Sequence, residues 1–418
     1  DYNFRHSEAR VLFSWHPFDN HTFTYGLNSI LYQVSRGDLL PLNDQSLVQP
    51  NTFAPEKGLE SGIFINENWE INKYLAVDAG FRFNFYQVLG PGDVYRYFEN
   101  MPREISTIMD TLQFEKNEII KQYTAPDYRI GIKIQPVKDI SIKAGYNRLH
   151  QYLFLMSNTI AIAPTAMWKL CDYNIKPMTG DQYSLGVYTN LFQNALEFSV
   201  EAYYKTAVNI VEYEDGASFY NNTVPETELI QGKLESRGME VMIKKPSGKL
   251  SGWINYTYSK ATIDGTDPYT GEFINFGNPY PANYDKPHVL NLVLNYKPNR
   301  RVRISGNIVY NTGRPITLPT SVYYINEQPI LNYSNRNEYR LPDYFRADLS
   351  VTVEGNLLSK KLAHGTFILS VYNLTGRKNA YSVYYKSVEG KIKGYKLSVF
   401  GAPIPSLTYN FKLGNYAN

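Results

Sequence analysis

The stretch that most constrains this chain runs from Tyr280 to Thr317. Leu290, Leu292, Leu294 and Tyr296 alternate there with Asn291, Val293 and Asn295. After a KPNR corner, Val302, Ile304, Gly306, Ile308 and Tyr310 alternate with Arg303, Ser305, Asn307, Val309 and Asn311. Period two over about ten residues, met twice, predicts two strands that each carry one oily and one mainly polar face. The corner between them is very short, whereas the chain leaves the far side of the pair through much longer segments. A short-turn, long-loop hairpin with a polar inner face is the repeating unit of a transmembrane β-barrel.

The rest of the chain repeats the unit. Strands are expected over 3–15, 22–35, 58–69, 73–87, 128–134, 140–146, 181–191, 195–213, 233–244, 249–262, 344–354, 365–374 and 405–413. With the central pair this makes about fifteen strands. HPFDN, PVKD, KPSG and KPNR read as tight turns on one side, and all the long loops fall on the other. The segment from Leu89 to Thr124 reads as a loop in which IIKQY could form a short helix. The fold class is therefore all-β, an antiparallel transmembrane barrel with short periplasmic turns and long extracellular loops. A barrel in hydrocarbon must close, because an open edge leaves backbone groups unsatisfied. Bacterial single-chain barrels have even strand numbers, so an odd count of about fifteen is expected to be one part of a larger barrel. The first and last strands should then not pair.

Composition agrees. Tyr supplies 37 residues against 21 Phe and 4 Trp, and its apolar ring with a wet hydroxyl suits the boundary between hydrocarbon and headgroups. The net charge of +3 gives no argument for nucleic acid. No run of apolar residues is long enough for a transmembrane helix. Mean hydropathy is −0.38, which carries little weight where half of every strand faces a polar lumen. Cys171 is the single cysteine, expected in a loop as an incidental thiol. The six His show no metal spacing, and G-x-S-x-G, Walker and G-x-G-x-x-G motifs are missing, so neither an enzyme nor a cofactor or metal site is expected. DGTDPYTGE (264–272) lacks calcium-loop spacing and reads as a plain turn, and His288 in DKPH reads as a rim residue. The chain opens on strand-like text without a signal peptide.

NYDKPHVLNLV followed by TGRPIT resembles the late-barrel pattern of TonB-dependent outer-membrane receptors, in a Bacteroidota, SusC-like flavour. SNTIAIAPTAMW (157–168), ESRGMEV (235–241), RLPDYFRADLSV (340–351) and SVYNLTGRKNAYSVYY (370–385) resemble the same family, in the family's order. The resemblance implies an integral outer-membrane transporter that takes up a scarce solute. It would be driven by the inner-membrane TonB system through a plug, with a surface lipoprotein as a lid. The resemblance also implies a barrel of about 22 strands, of which residues 1–418 would be the C-terminal part of the one barrel domain, with the plug and about seven early strands outside this sequence. Trp168, Tyr323 and Tyr324 are candidate solute or partner contacts in the loops. A structural or assembly barrel without transport is the alternative from another class. The chain departs from outer-membrane barrels in ending on GNYAN after Phe411 and Leu413 rather than on a terminal aromatic.

Two geometric expectations follow. In 345–354, Phe345, Ala347, Leu349, Val351 and Val353 should meet lipid, with Arg346, Asp348, Ser350, Thr352 and Glu354 inside. If pairing starts at Thr312 with Tyr344, Arg303 and Glu354 should form a polar pair on the inner wall, or at least share one interior polar network.

Overall fold

The computed structural model describes residues 3–43, 45–156, 167–217, 222–326, 328–355, 363–388 and 391–413. Most of SNTIAIAPTAMW and all of GNYAN lie outside them. One antiparallel meander dominates: β1 (Asn3–Phe18), β2 (His21–Ser35), β3 (Glu56–Asn72), β4 (Leu75–Leu89), β5 (Ile119–Val137), β6 (Ile140–Gln151), β7 (Met178–Leu191), β8 (Leu196–Tyr213), β9 (Leu229–Lys245), β10 (Leu250–Asp264), β11 (His288–Tyr296), β12 (Val302–Asn311), β13 (Tyr344–Glu354), β14 (Ala363–Tyr372) and β15 (Ile404–Leu413). Each strand pairs with its chain neighbours, so the order in the sheet is the order in the sequence. Among the described residues β1 bonds only to β2 and β15 only to β14. There is no α-helix among them either, only single 3-10 turns such as Ile105–Thr107.

The IIKQY helix is therefore corrected. Residues 119–123 open β5, where Tyr123 faces Tyr86 and Gln122 faces Gln87 of β4. Alternation is lost there because Ile120 and Tyr123 pack against a buried cluster at the loop end, so this end of the strand has no fully bare face.

Elsewhere the two faces separate by parity. Phe13, Tyr25, Ile65, Phe81 and Tyr128 stand side by side on five successive strands, all exposed. Farther round, Leu185, Met239 and Tyr258 are exposed on the same face. An apolar surface of this extent belongs in hydrocarbon rather than water. β13 alternates as expected, with Leu349 and Val353 on the bare face and Arg346 bonded to Asp348 on the other.

The register of β12 on β13 differs from the expected one by a single residue. Pairing begins at Asn311 with Tyr344, which puts Val302 opposite Val353 and Arg303 opposite Thr352. Glu354 thus lies one pleat beyond Arg303, its carbonyl accepting from Arg301 Nε at 3.1 Å. Among the described residues no ion pair joins Arg303 to Glu354. The long connection from 312 to 343 does not set register; the oily face does.

The short-turn end is bare, and the long loops build the opposite end. They add small hairpins of their own: Gly92–Tyr97 with Ile108–Phe114, Leu153–Met156 with Met167–Leu170, Pro319–Ile325 with Gln328–Tyr333, and Ser382–Val388 with Lys391–Leu397. The fully buried apolar residues gather here. Tyr86, Tyr152, Phe154, Met156, Cys171, Ile175 and Leu229 form one cluster, and Ile210, Ile230, Ile263, Ile274 and Tyr280 a second.

Candidate functional site: the polar face and the loop end

On the polar face, one hydrogen-bonded network crosses five strands. Arg82 donates to Asn28 Oδ1 (2.6 Å), to Asn84 Oδ1 and to Glu60 Oε1 (3.4 Å). Tyr32 donates to the other Glu60 oxygen at 3.1 Å. Asn84 donates to Asp127 at 2.7 Å, and His150 Nδ1 stands 2.7 Å from the second Asp127 oxygen. Side chains from β2, β3, β4, β5 and β6 thus satisfy one another in a row. Burying such groups is tolerable only because every one of them has a partner.

At the loop end the polar groups go deeper. Lys169 is almost wholly buried, its ammonium hydrogen-bonded to Asp172 and 3.3 Å from Glu56. Burial works against its charge, but Asp172 and Glu56 outweigh that and hold the lysine protonated. Glu56 also accepts from the Leu170 amide at 3.0 Å and lies 3.9 Å from Arg36, whose guanidinium covers the Phe53 ring. Glu226 is the buried acid nearby, reached by Tyr97 Oη and Asn174 Nδ2, each at 3.4 Å. Burial first, and Asp172 second, push its carboxyl up to about 7. These groups border a cavity of about 300 Å³ to which four different loops contribute.

The motifs that carry the family resemblance meet in a second knot. Arg340 of RLPDYF donates to the Asp285 carboxylate of NYDKPH, to the Asp285 carbonyl (3.1 Å) and to the Gly313 carbonyl of TGRPIT (3.0 Å). Asp343 accepts from the Gly313 amide (3.0 Å) and from Tyr310 Oη (2.7 Å). Gly313 is obligatory here, because a Cβ would lie 1.6 Å from the Leu341 carbonyl oxygen. Arg377 of TGRKNA donates to the Asp343 carbonyl at 2.8 Å, and Asn379 exchanges two bonds with the Phe345 backbone. Segments far apart in sequence thus lock one corner of the loop end, with Asp285 and Gly313 at its centre.

The candidate contact residues are scattered. Trp168 stacks on Phe4 of β1 with centroids 5.8 Å apart. Tyr323 and Tyr324 are exposed on the hairpin after β12. Cys171 is not at the surface of its loop but fully buried, its Sγ 3.8 Å from the Gln151 carbonyl. DGTDPYTGE does form a turn, yet Asp267 within it is completely buried; it accepts from the Gln231 amide at 3.0 Å and pairs with Arg103 at 3.5 Å. His288 is at the rim as expected, its Nδ1 2.8 Å from Tyr256 Oη. Sequence reasoning missed Lys169, Arg103 and Asp267, since nothing local distinguishes a buried charge from a solvated one. Among the described residues no cluster of metal-ligating side chains occurs.

A family profile described as TonB dependent receptor-like, beta-barrel, matches residues 1–374. The chain belongs to that family. No curated protein sequence matches this receptor-barrel chain. Solved structures do. The FrpB iron transporter from Neisseria meningitidis superposes with a TM-score of 0.61 at 13% identity, over 98% of this chain and 55% of its own. The siderophore receptor PiuA from Acinetobacter baumannii gives 0.57 at 13%, over 98% and 56%. The ferric-catecholate import receptor Fiu from E. coli K12 gives 0.55 at 14%, over 97% and 54%. The chain therefore spans about half the length of these receptors and shares their fold. As a TonB-dependent receptor barrel it has its bare apolar face where such barrels meet lipid, and its polar face and loop knots where they meet water.

Proposed function

We propose that this chain forms barrel wall and extracellular loops of an outer-membrane receptor that takes up a scarce solute with energy from the TonB system. The family match is the observation that carries the reading. The loop end supports it, because four loops are cross-linked there around a cavity rather than left as separate hairpins. In this reading the bare face sits in the outer membrane, and residues 1–418 are one part of a larger barrel. The SusC-like flavour of the motifs adds a surface lipoprotein seated on the loops, with Tyr323 and Tyr324 as exposed aromatic anchors for it. Trp168, stacked on Phe4 in the loop that carries Lys169, is a further candidate contact for solute or partner. Iron chelates, cobalamin, glycans and peptides are the solute classes that this scaffold serves.

The test is accumulation of labelled solutes from those four classes by cells with and without the receptor, each with and without a working TonB. Uptake of one class that needs both is the expected result. Accumulation of none of them, in cells that display the folded receptor, would favour a structural role.

A further inference from the structure

At the loop end, the hairpin of Gly92–Tyr97 and Ile108–Phe114, the segment before β7 and the turn after β10 enclose a cavity of about 470 Å³. That is the size of an ordinary small-molecule site. Three cations border it: Arg96, Arg103 and Lys176. Two of them are committed, since Arg96 lies 3.8 Å from Asp110 and Arg103 is held by Asp267 and by the Leu229 carbonyl. Lys176 is different. Among the described residues no acid lies within ion-pair distance of its ammonium, which sits 3.2 Å above the centre of the Tyr269 ring.

The position of Lys176 is built rather than accidental. Gln231, wholly buried, accepts from the Lys176 amide and donates to the Lys176 carbonyl, both at 2.9 Å. Tyr269 is fixed in turn through its hydroxyl on Asn209, at 3.0 Å. The ammonium is thus held in a partly dry place that does not suit a charge. Burial first, and then Arg103 beside it, make the lysine easier to deprotonate, with Lys121 adding to this and Asp267 opposing it. Glu99 also borders the cavity, and the nearby Asp172 is occupied by Lys169. Asn174 and Thr270 add neutral polar groups, and the rest of the wall is apolar or aromatic. Phe98, Met101 and Met109 are exposed there, and Tyr173 closes the side shared with the neighbouring cavity.

We propose that this cavity is a binding site for an organic anion with a flat apolar body, its negative group on Lys176 and its ring among Phe98, Met109 and Tyr173. A neutral ligand would leave the ammonium without a counter-charge, and a bare inorganic anion would leave the apolar wall wet. The inference rests on the uptake reading and deepens it by naming a chemical class for the solute. It is compatible with a solute from any of the four classes that carries an acidic ring.

The test uses outer-membrane vesicles carrying the whole receptor, with 2-naphthoate and its neutral analogue 2-naphthamide as probes and equilibrium dialysis as the readout. The wild type should bind naphthoate at least about tenfold tighter than naphthamide. Lys176→Gln should abolish that preference while leaving naphthamide binding unchanged, and Lys176→Arg should keep it. Equal affinity for the two probes, or a preference that survives Lys176→Gln, overturns the proposal. Binding in vesicles needs no transport. Selective binding without energy-dependent uptake in cells would therefore sink the uptake reading and leave the site, whereas uptake without anion selectivity would do the reverse.

Discussion

The wall and the loop end of this barrel use charged residues in opposite ways. On the wall, Lys244 and Glu197 stand directly opposite each other on adjacent strands, 2.8 Å apart, with side chains 41% and 36% exposed. At the loop end, the Lys169 side chain is 3% exposed, and its partners come from segments that the sequence keeps far apart. Asp267 and Asp285 are as deeply placed. Lys244 and Glu197 lie on the polar face of the meander, where water can screen them. The loop end's charges cross-link separate hairpins, and there each partner is indispensable because the other could not stay buried alone.

The contrast would be tested hardest by Lys169→Met. It keeps most of the side chain's length but removes the cation between Glu56 and Asp172, leaving only Arg36 at 3.9 Å from Glu56. The expected cost is about 3–5 kcal/mol, read as lost hydrogen-exchange protection in 167–178 of the membrane-embedded protein. Adding Glu56→Gln and Asp172→Asn should restore most of it. A cost below about 1 kcal/mol would place this triad with the surface pairs.

A charge on the wrong face is the next largest effect. Leu185, midway along β7 and flanked by Ala144 and Ala202, is 56% exposed on the bare side. Leu185→Arg should cost about 2–4 kcal/mol in refolding into lipid vesicles. Asn190→Arg, on the polar side opposite Glu197, should change stability by no more than about 0.5 kcal/mol. Equal costs would mean that the two faces do not differ as the ladder implies.

These two regions were unequally legible in the sequence. The wall could be read because its period of two is a local property: whichever strand neighbours β13, Leu349 and Val351 must share a face. The register was the weak point. The β12–β13 ladder starts at Asn311 instead of the expected Thr312, which shifts each partner by one and moves Glu354 off Arg303. The oily face chooses the register by setting Val302 opposite Val353, and the knot of Gly313, Arg340 and Asp343, which only folding brings together, closes over the first pair. The motifs TGRPIT and RLPDYF were visible as a family signature, but not as two halves of one contact. Lys169 was harder still. Its neighbour Leu170 bonds to a carboxylate 114 residues away, and no composition or spacing announces that. IIKQY misled for a related reason, since that part of β5 packs under the loops and shows no clean alternation.

A third test uses pH. Glu226 is pushed up to about 7 by burial and then by Asp172, and Glu214 also to about 7 by burial and then by Glu272. The ordinary value for both is 4.5. Between these values the folded loops keep protons that the unfolded chain releases, so stability is fully present below the ordinary value and is lost as pH rises through the folded one. Protection of 222–229 should therefore fall from about pH 5 to about pH 8, while amides in the middle of β7 stay level. Glu226→Gln should flatten part of that fall, and adding Glu214→Gln more of it. A wild-type profile that improves with rising pH would contradict the assignment.

The smallest effect belongs to the wall. Lys244 and Glu197 are direct cross-strand partners of opposite charge, which favours them, and both lie near the short-turn end of the polar face. Each side chain is more than a third exposed, so water screens the attraction and little desolvation has to be offset. Lys244→Ala should cost no more than about 1 kcal/mol, and Glu197→Ala about the same. The double variant should cost hardly more than either single one, because one weak contact is all that each removes. Raising salt to about 1 M should erase most of the difference, since the screening length then shrinks to about 3 Å. The Lys169 triad, shut away from water, should keep its full penalty at the same salt. If the two pairs lose equal amounts in low salt and respond equally to high salt, then burial is not what separates the wall from the loop end.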